Sequence, residues 1–335
     1  MEKIKNLSFK LLFGNLILII GIIIFVELFS NFFGVENSLL GVGVVTAILM
    51  CAVIDIDLPI KDSAIAIIVS LIIMGFSAYL SRLSPLASIF IDFITVFFII
   101  YIFTNRMDTK TFLPFILCYV FLAGNPATIE KLPLRIVATV VGGILIALAY
   151  YITHKKKQEF AYNSLFEQLT SIQKSSLQFN FALRMAVGIA VAMLVGNYFS
   201  FQKSMWISIT VMSLTQPHLH QTKQRIKYRV FGTILGSLIF VALFNFLVPK
   251  NLSTYVLLFL SYIYTFIKEY KVQIVFITMN SLGAAMILYD MSVSVPMRIS
   301  FILAGTVIAF IVNKGFYDKF AKKEEEEEEE VALEA

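Results

Sequence analysis

The sequence predicts an all-α integral membrane protein with about 12 transmembrane helices, arranged as two parallel six-helix repeats. Apolar residues make up 59% of the chain and charged residues 15%, whereas a typical soluble domain is roughly 25% charged. A soluble fold cannot cover so many apolar side chains with polar ones. The apolar runs are also continuous rather than alternating, which is typical of spanning helices and not of barrel strands. Finally, the two halves of the chain share a sequence pattern.

Twelve apolar stretches are predicted to be spanning helices, because a span needs about 20 mostly apolar residues. The first stretch follows three lysines and ends without a small-residue cleavage site, so it is predicted to be a retained helix rather than a signal peptide. The predicted cores are 11–29, 37–54, 63–81, 84–104, 111–125, 133–153, 181–202, 204–217, 230–249, 252–267, 272–289 and 295–313.

The distribution of Lys and Arg predicts that both termini are cytoplasmic. With 12 spans, 21 of the 27 basic residues fall on the side of the N-terminus. The loss of one span from the count would destroy this asymmetry. The six exceptions are Arg82, Lys131, Arg135, Lys203, Lys250 and Arg298.

A repeated pattern divides the chain into halves. Residues 133–150 and 296–313 share the pattern P-x-R-I-x5-G, 163 positions apart. The pattern places Arg135 and Arg298 at equivalent helix starts. Parallel repeats are a known transporter plan, with substrate sites at their interface. The predicted units are an N-terminal repeat, a cytoplasmic linker, a C-terminal repeat and an acidic disordered tail, which cover 1–153, 154–178, 179–318 and 319–335.

The stretch 203–236 is the most informative part of the sequence. It begins with a short helix whose Trp206 is predicted to lie at the outer membrane interface. The helix ends at Gln216 and Pro217, because proline removes a backbone donor. A basic loop follows, and a G-x-x-x-G pattern then predicts close approach of another helix.

This stretch resembles the fusaric acid resistance (FUSC) family of aromatic-acid exporters, whose superfamily includes plant malate channels. The matching pattern is W-x3-T…Q-P…T-x2-R-x3-R-x2-G-T-x2-G. The resemblance implies a transporter in the bacterial inner membrane. Two departures are an acidic loop, DIDLPIKDS, at the equivalent place in the first half, and a linker of only about 25 residues where larger members carry a cytoplasmic domain. The matching residues are Trp206, Thr210, Gln216, Pro217, Thr222, Arg225, Arg229, Gly232, Thr233 and Gly236.

Several side chains are predicted to bind an anionic substrate. Arg225 and Arg229 lie one turn apart on one helix face, and guanidinium geometry suits a carboxylate. Their alternative role is anchoring at lipid phosphates. Arg135 and Arg298 either bind an anion or extend to lipid headgroups. The complete predicted substrate site is Gln216, Trp206, Thr233, Arg225, Arg229, Arg135 and Arg298.

Asp92 is the only acidic residue near the middle of a predicted span. Desolvation favours the neutral form of a carboxyl group, so Asp92 is predicted to carry protons during transport. The alternative is a packing role in which Asp92 pairs with an arginine such as Arg135.

Three functions remain open from the sequence. The first is an exporter of small organic or aromatic carboxylates, proton-coupled through Asp92. The second is a passive anion channel, and the third is a membrane scaffold for a periplasmic membrane-fusion adaptor. The predicted partners are a small anion and membrane lipid, with an adaptor or a second copy of the chain as further alternatives, and no nucleic acid.

Enzymatic activity is not predicted. The chain carries no H-E-x-x-H, G-x-S-x-G or Walker pattern, so direct coupling to ATP within this chain is not expected either. His218 and His220 form an H-x-H pair without evident further ligands, so neither a metal nor a cofactor is predicted. Cys51 and Cys118 both lie in apolar stretches, which argues against a disulfide or a zinc site.

Overall fold

The protein is an antiparallel helical bundle with two groups of six helices. The computed structural model describes residues 9–155, 162–174, 176–199, 201, 203–286 and 289–334, and no strand occurs among them. The first group is α1 (Phe9–Phe33), α2 (Ser38–Cys51), α3 (Ile60–Leu83), α4 (Pro85–Phe103), α5 (Leu113–Gly124) and α6 (Leu132–His154). The linker contributes α7 (Leu165–Thr170). The second group is α8 (Leu177–Tyr198), α9 (Met205–Leu214), α10 (Leu219–Ala242), α11 (Ser253–Tyr264), α12 (Tyr270–Met286) and α13 (Met291–Glu334).

Local sequence signals set several helix starts. Proline stands in the first turn of α4, α5 and α6, where its missing N–H has no helical partner to lose. The Ser176 hydroxyl caps α8 by accepting a hydrogen bond from the Phe179 N–H (3.1 Å). Ser164 and Glu167 form a capping box at the start of α7.

Seven helices within the described residues are long and apolar enough to cross a bilayer: α1, α3, α4, α6, α8, α10 and α13. The other predicted spans fall on α2, α5, α9, α11 and α12, which have 10 to 17 residues. A full span needs about 20 residues. The prediction of a multi-pass helical membrane protein is therefore confirmed, while the 12-span count and the two repeats stay predictions.

Successive helices run in opposite directions, so their connections gather at two ends of the bundle. We call the end that carries the linker and the α2–α3, α4–α5, α9–α10 and α11–α12 connections the linker end. The other end is the far end. At the linker end, Arg106 forms an ion pair with Asp57 (2.7 Å) and Asn105 donates to the Ile56 carbonyl (3.0 Å). These contacts join the α2–α3 and α4–α5 connections.

Glycines allow the same close contact in both groups of helices. A methyl group on Gly142 of α6 would lie 2.7 Å from Val44 Cγ2 of α2. A methyl group on Gly305 of α13 would lie 2.7 Å from the Ile207 carbonyl oxygen of α9. Both members of the second pair stand 163 positions after those of the first. The α2–α6 and α9–α13 contacts therefore occur at matching positions.

The two groups meet along a close seam, which includes contacts of α4 with α8 and of α5 with α9, and along a light seam. At the close seam α4 packs along α8, and the rings of Phe97 and Phe179 lie 5.4 Å apart. At the light seam α1 touches α11 at a few residues, where Asn15 donates to the Thr265 hydroxyl (3.0 Å). Helix α1 also packs on α2, where Phe29 is buried, but most of its apolar side chains face outward.

The linker is anchored beneath the first group. The Gln168 amide donates to the Tyr101 carbonyl (2.9 Å) at the end of α4 and to Asn105 Oδ1 (2.6 Å). The Leu165 N–H donates to Asp62 Oδ2 (2.8 Å). The described part of the linker is thus tied to the first group by specific hydrogen bonds.

The acidic tail differs from the prediction of disorder over 319–335, because α13 continues as a helix to Glu334. Glu and Lys are good helix formers. Extending an existing helix also avoids the unfavourable nucleation step, so a polar run can continue a membrane helix.

Candidate functional site

The candidate site is built on the turn that joins α9 to α10. The Gln216 backbone N–H donates to the Thr222 hydroxyl (3.2 Å), which closes the turn. From α8, Arg184 donates to the Pro217 carbonyl (2.6 Å) and to Asn313 Oδ1 of α13 (3.2 Å). The turn is therefore held from two sides, and Arg184 positions it rather than facing the membrane surface.

A cavity of about 260 Å³ lies beside this turn at the linker end. Residues from both groups of helices line it, so the cavity sits between the halves. None of its lining residues is acidic. Its polar and charged lining residues are Lys110, Ser213, Gln216, Arg225, Tyr270 and Gln273.

Arg225 is held at the edge of this cavity by two contacts. Its Nη1 donates to the Ser213 carbonyl (3.1 Å), and its guanidinium carbon lies 4.3 Å from the centroid of the Tyr270 ring. Burial, and then the positive charge of Arg225, lower the pKa of Lys110. The cavity thus concentrates positive charge without a carboxylate to balance it, which favours a bound anion.

Arg229 lies one turn deeper, behind Tyr270, and is 2% exposed. Its Nε and Nη2 have no hydrogen-bond partner among the described residues, and none of the described ion pairs includes it. The Tyr270 hydroxyl lies beside its guanidinium. The side chain therefore does not extend to lipid headgroups, which was its alternative role. A buried guanidinium with two unsatisfied nitrogens is costly unless an anion or water satisfies them.

Close packing of α10 against α12 brings Tyr270 to Arg229. A methyl group on Gly232 would lie 2.8 Å from Ile274 Cγ2, and one on Gly236 would lie 2.7 Å from the Val275 carbonyl oxygen. The close approach predicted from the G-x-x-x-G pattern is present, and its partner is α12.

Arg298 and Trp206 form a second buried contact, nearer the far end. The Arg298 guanidinium carbon lies 4.7 Å from the centroid of the Trp206 ring, and the two residues are 2% and 5% exposed. The Trp206 ring covers this buried cation within the bundle, and the placement of Trp206 at the membrane interface stays a prediction. Thr233, also predicted in the site, is 1% exposed, and its hydroxyl has no hydrogen-bond partner in the part of the chain that the structure describes.

Arg135 lies apart from this site, although its sequence position matches that of Arg298. It donates to Asn37 Oδ1 (2.9 Å) and to the carbonyls of Glu36 (2.8 Å) and Asn125 (2.5 Å). These acceptors occupy most of its donors. Its geometry is that of a structural arginine that joins the α1–α2 and α5–α6 connections, and the structure does not bring it to the cavity.

Asp92 is buried in the first group, away from the cavity. The Tyr119 hydroxyl donates to its Oδ1 (2.5 Å), while Oδ2 has no partner among the described residues. The expected alternative of a pair between Asp92 and Arg135 is wrong, since Tyr119 takes the place of the arginine.

Three residues of the cavity region were missed by the sequence analysis. Lys110 and Arg184 were counted only as positive charges at the cytoplasmic side. No sequence pattern marked Tyr270 as a site residue, apart from its place next to Lys271. Lys110 has a positive φ of 54°, which is uncommon for a non-glycine residue, but sequence does not reveal this. His218 and His220 are exposed, and their rings stack at 5.9 Å.

The fold is that of a multi-pass helical membrane protein with a basic cavity between its two groups of helices. Residues 190–312 match the family model described as fusaric acid resistance protein-like. The match runs from the middle of α8 into α13, so it covers the α9–α10 turn, Arg229 and Arg298. It confirms the resemblance found in the sequence. No curated protein and no solved structure matches the chain.

Proposed function

We propose that this protein transports small organic carboxylates, including aromatic ones, across a bacterial inner membrane. The observation that carries the proposal is uncompensated positive charge at the cavity between the halves. Arg225 and Lys110 line the cavity, Arg229 lies behind it, and no carboxylate faces them. Guanidinium groups bind carboxylates in a bidentate way. The Tyr270 ring gives the cavity an aromatic wall against which an aromatic acid can pack.

The proposed architecture is two parallel repeats with 12 membrane crossings and both termini in the cytoplasm. In this arrangement the linker end is cytoplasmic. The five short helices supply the membrane crossings that the seven long helices do not. The six-and-six helix order, the shared P-x-R-I pattern and the matched contacts of Gly142 and Gly305 support it. Lipid then covers the apolar outer faces, including that of α1.

Proton coupling through Asp92 is part of the proposal, and a passive anion channel is the alternative. Coupling is supported by the full burial of Asp92 and by its Oδ2, which has no partner to hold it charged. The channel is favoured by the separation of Asp92 from the basic cavity. Asp92→Asn should abolish uphill export and spare downhill exchange if coupling holds. Unchanged uphill export would favour a channel or another coupling residue.

The proposal is tested by flux into liposomes that contain the purified protein. Radiolabelled phthalate is the probe, because its charge keeps passive leak low, and radiolabelled choline is the cationic control. We expect phthalate flux well above that of protein-free liposomes, with no choline flux. Removal of one charged hydrogen-bonding group costs roughly 1.5–3 kcal/mol, so Arg225→Gln should lower phthalate flux about tenfold or more.

Two further variants locate the effect. Arg225→Lys keeps the charge but not the bidentate geometry, so it should retain part of the flux. Arg106→Gln removes an arginine from the same end of the other half, where it pairs with Asp57, and should leave phthalate flux unchanged. Wild-type flux no faster than that of empty liposomes would contradict the proposal.

A further inference from the structure

Two buried arginines of the second half lie within electrostatic range of each other. Arg229 on α10 and Arg298 on α13 stand on helices that pack against each other, near enough for their charges to repel, and each is 2% exposed. No described acidic residue pairs with either. Two like charges in a low-dielectric interior repel strongly unless an opposite charge lies between them. The described side chains therefore leave the positive charge of these two arginines unbalanced.

The polar groups around these arginines also lack partners. Thr233 stands one turn after Arg229 on α10, and Ser294 stands one turn before Arg298 on α13. The hydroxyls of both residues, Nε and Nη2 of Arg229, and Nε of Arg298 all have no hydrogen bond among the described residues. Thr233 and Ser294 are at most 1% exposed. Buried polar groups in native proteins are satisfied nearly always, so several such atoms on two facing helices indicate a bound group.

We infer that a single anion binds inside the second half, between Arg229 and Arg298, with the hydroxyls of Thr233 and Ser294 as further donors. This inner anion site is distinct from the cavity at Arg225, and it rests on the proposed function only for the class of anion, an organic carboxylate. Trp206 covers one face of the Arg298 guanidinium and leaves its edge for the anion. For a carboxylate that enters at the linker end, the cavity at Arg225 would be the first binding site and the inner anion site the second.

The far side of the inner anion site is closed by apolar packing. On α10 the polar face that carries Arg229 and Thr233 gives way to Phe240 and Phe244, whose rings lie 4.7 Å apart. Beyond them a cavity of about 720 Å³, lined in part by Phe244, Lys250 and Asn280, lies toward the far end. The two phenylalanine rings thus stand between the inner anion site and that cavity.

Trp206 is the only tryptophan in the chain, so its fluorescence reports on the inner anion site. The probe is iodide, a monovalent anion that quenches tryptophan, with fluoride keeping the ionic strength constant. In the purified protein, iodide should quench Trp206 with a saturable dependence on concentration. Caesium, a cationic quencher, should give no saturable quenching, because Trp206 is 5% exposed and the site is positive.

Variants distinguish quenching by iodide bound at the inner anion site from collisional quenching. Arg298→Gln should weaken iodide binding about tenfold or more, and Arg298→Lys should retain most of it. Thr233→Val, which keeps the side-chain shape, should weaken binding a few-fold. Arg82→Gln, an exposed arginine at the far end of the other half, is the matched control and should bind as the wild type does. Size-exclusion profiles check that each variant is folded.

Two results would overturn the inner anion site: linear, unsaturable iodide quenching in the wild type, or identical saturation in Arg298→Gln. These failures are distinguishable from failure of the proposed function. Phthalate flux without saturable quenching contradicts the inner anion site alone, whereas saturable quenching without phthalate flux contradicts the transport proposal alone.

Discussion

Arg135 and Arg298 occupy the same position in the two halves, yet their surroundings are opposite. Arg135 donates to three acceptors in the connections around it. Arg298 has an aromatic ring on one face and no acceptor for its Nε. The same sequence pattern thus serves structure in the first half, and in the second half it leaves donors free for a ligand.

The connections after the second helix of each half differ in the same way. The first half has Asp55 and Asp57, and 163 positions later the second half has His218 and His220, followed by the basic run that contains Arg225. The acidic connection is closed by its own contacts, since Arg106 pairs with Asp57 and the Tyr150 hydroxyl donates to Asp55 (2.6 Å). The comparison supports the proposal that the second half supplies most of the anion-binding side chains.

The largest expected effect concerns the matched arginines. Arg135→Gln should lower stability by about 2–4 kcal/mol, because a buried acceptor left without a donor costs roughly 1–3 kcal/mol. Arg298→Gln should leave stability unchanged or raise it, since it removes an unpaired buried charge. Thermal unfolding followed by circular dichroism, in one detergent and without added anion, measures both. Equal destabilisation by the two variants would contradict the conclusion that Arg135 is structural and Arg298 is not.

Alanine variants of the matched glycines should differ in stability by less than the two arginine variants do. Overpacking costs roughly 1–3 kcal/mol, and both Gly305→Ala and Gly142→Ala should be destabilising. Gly305→Ala should be the worse, because its methyl group meets the backbone oxygen of Ile207, whereas that of Gly142 meets a side chain of Val44. Gly14→Ala is the control, with nothing within 4 Å of the added carbon. A tolerated Gly305→Ala would argue against the tight α9–α13 contact.

A smaller, pH-dependent effect is expected at Asp55. Burial raises its pKa, but hydrogen bonds from Tyr150 and the Asp57 N–H, with His154 nearby, together hold it below the ordinary value. A lowered pKa stabilises the fold above the unfolded value of about 3.9 and ceases to do so as the pH falls through the folded value. Asp55→Asn should therefore lower stability by less than about 1 kcal/mol at pH 7.

The pH dependence provides the check on that variant. The difference between Asp55→Asn and the wild type should shrink as the pH falls below about 3.9. His218 is exposed and stands 163 positions after Asp55. His218→Gln should melt like the wild type both at pH 7 and below a pH of about 3.9. A difference that persists in acid would mean that Asp55 acts through packing rather than through its charge.

The smallest effect is expected at the light seam. Asn15→Ala removes the hydrogen bond between α1 and α11, and an exposed bond of this kind contributes about 0.5 kcal/mol. Phe179→Ala, at the close seam, removes a ring that packs on Phe97 and should cost several times more. Comparable losses would show that the two seams are equally important for stability.

Apolar runs and prolines predicted the helices well, because the membrane class and helix starts depend on local composition. Sequence also found the Arg225 and Arg229 face and the close approach at Gly236. It could not distinguish a buried arginine from one at a headgroup, since both look like a charge at a helix end.

Contacts between distant positions decide that distinction. Asn37 holds Arg135 from 98 positions away, and Trp206 covers Arg298 from a different helix. The ends of the short helices were predicted less well than their positions for a related reason, because an apolar run can continue through a turn that tertiary contacts impose. At the α9–α10 turn those contacts come from Arg184 and Thr222.

The length of α9 has an electrical consequence. Its 10 residues cover about 15 Å, whereas the hydrocarbon layer is about 30 Å thick. In the proposed orientation the turn at Gln216 and its cavity are therefore recessed below the cytoplasmic surface. Water filling that recess would carry the cytoplasmic potential inward, and the transmembrane voltage would then fall over a thinner layer that contains Arg229 and Arg298. Each elementary charge that crosses that layer exchanges about 2.3 kcal/mol per 100 mV with the field.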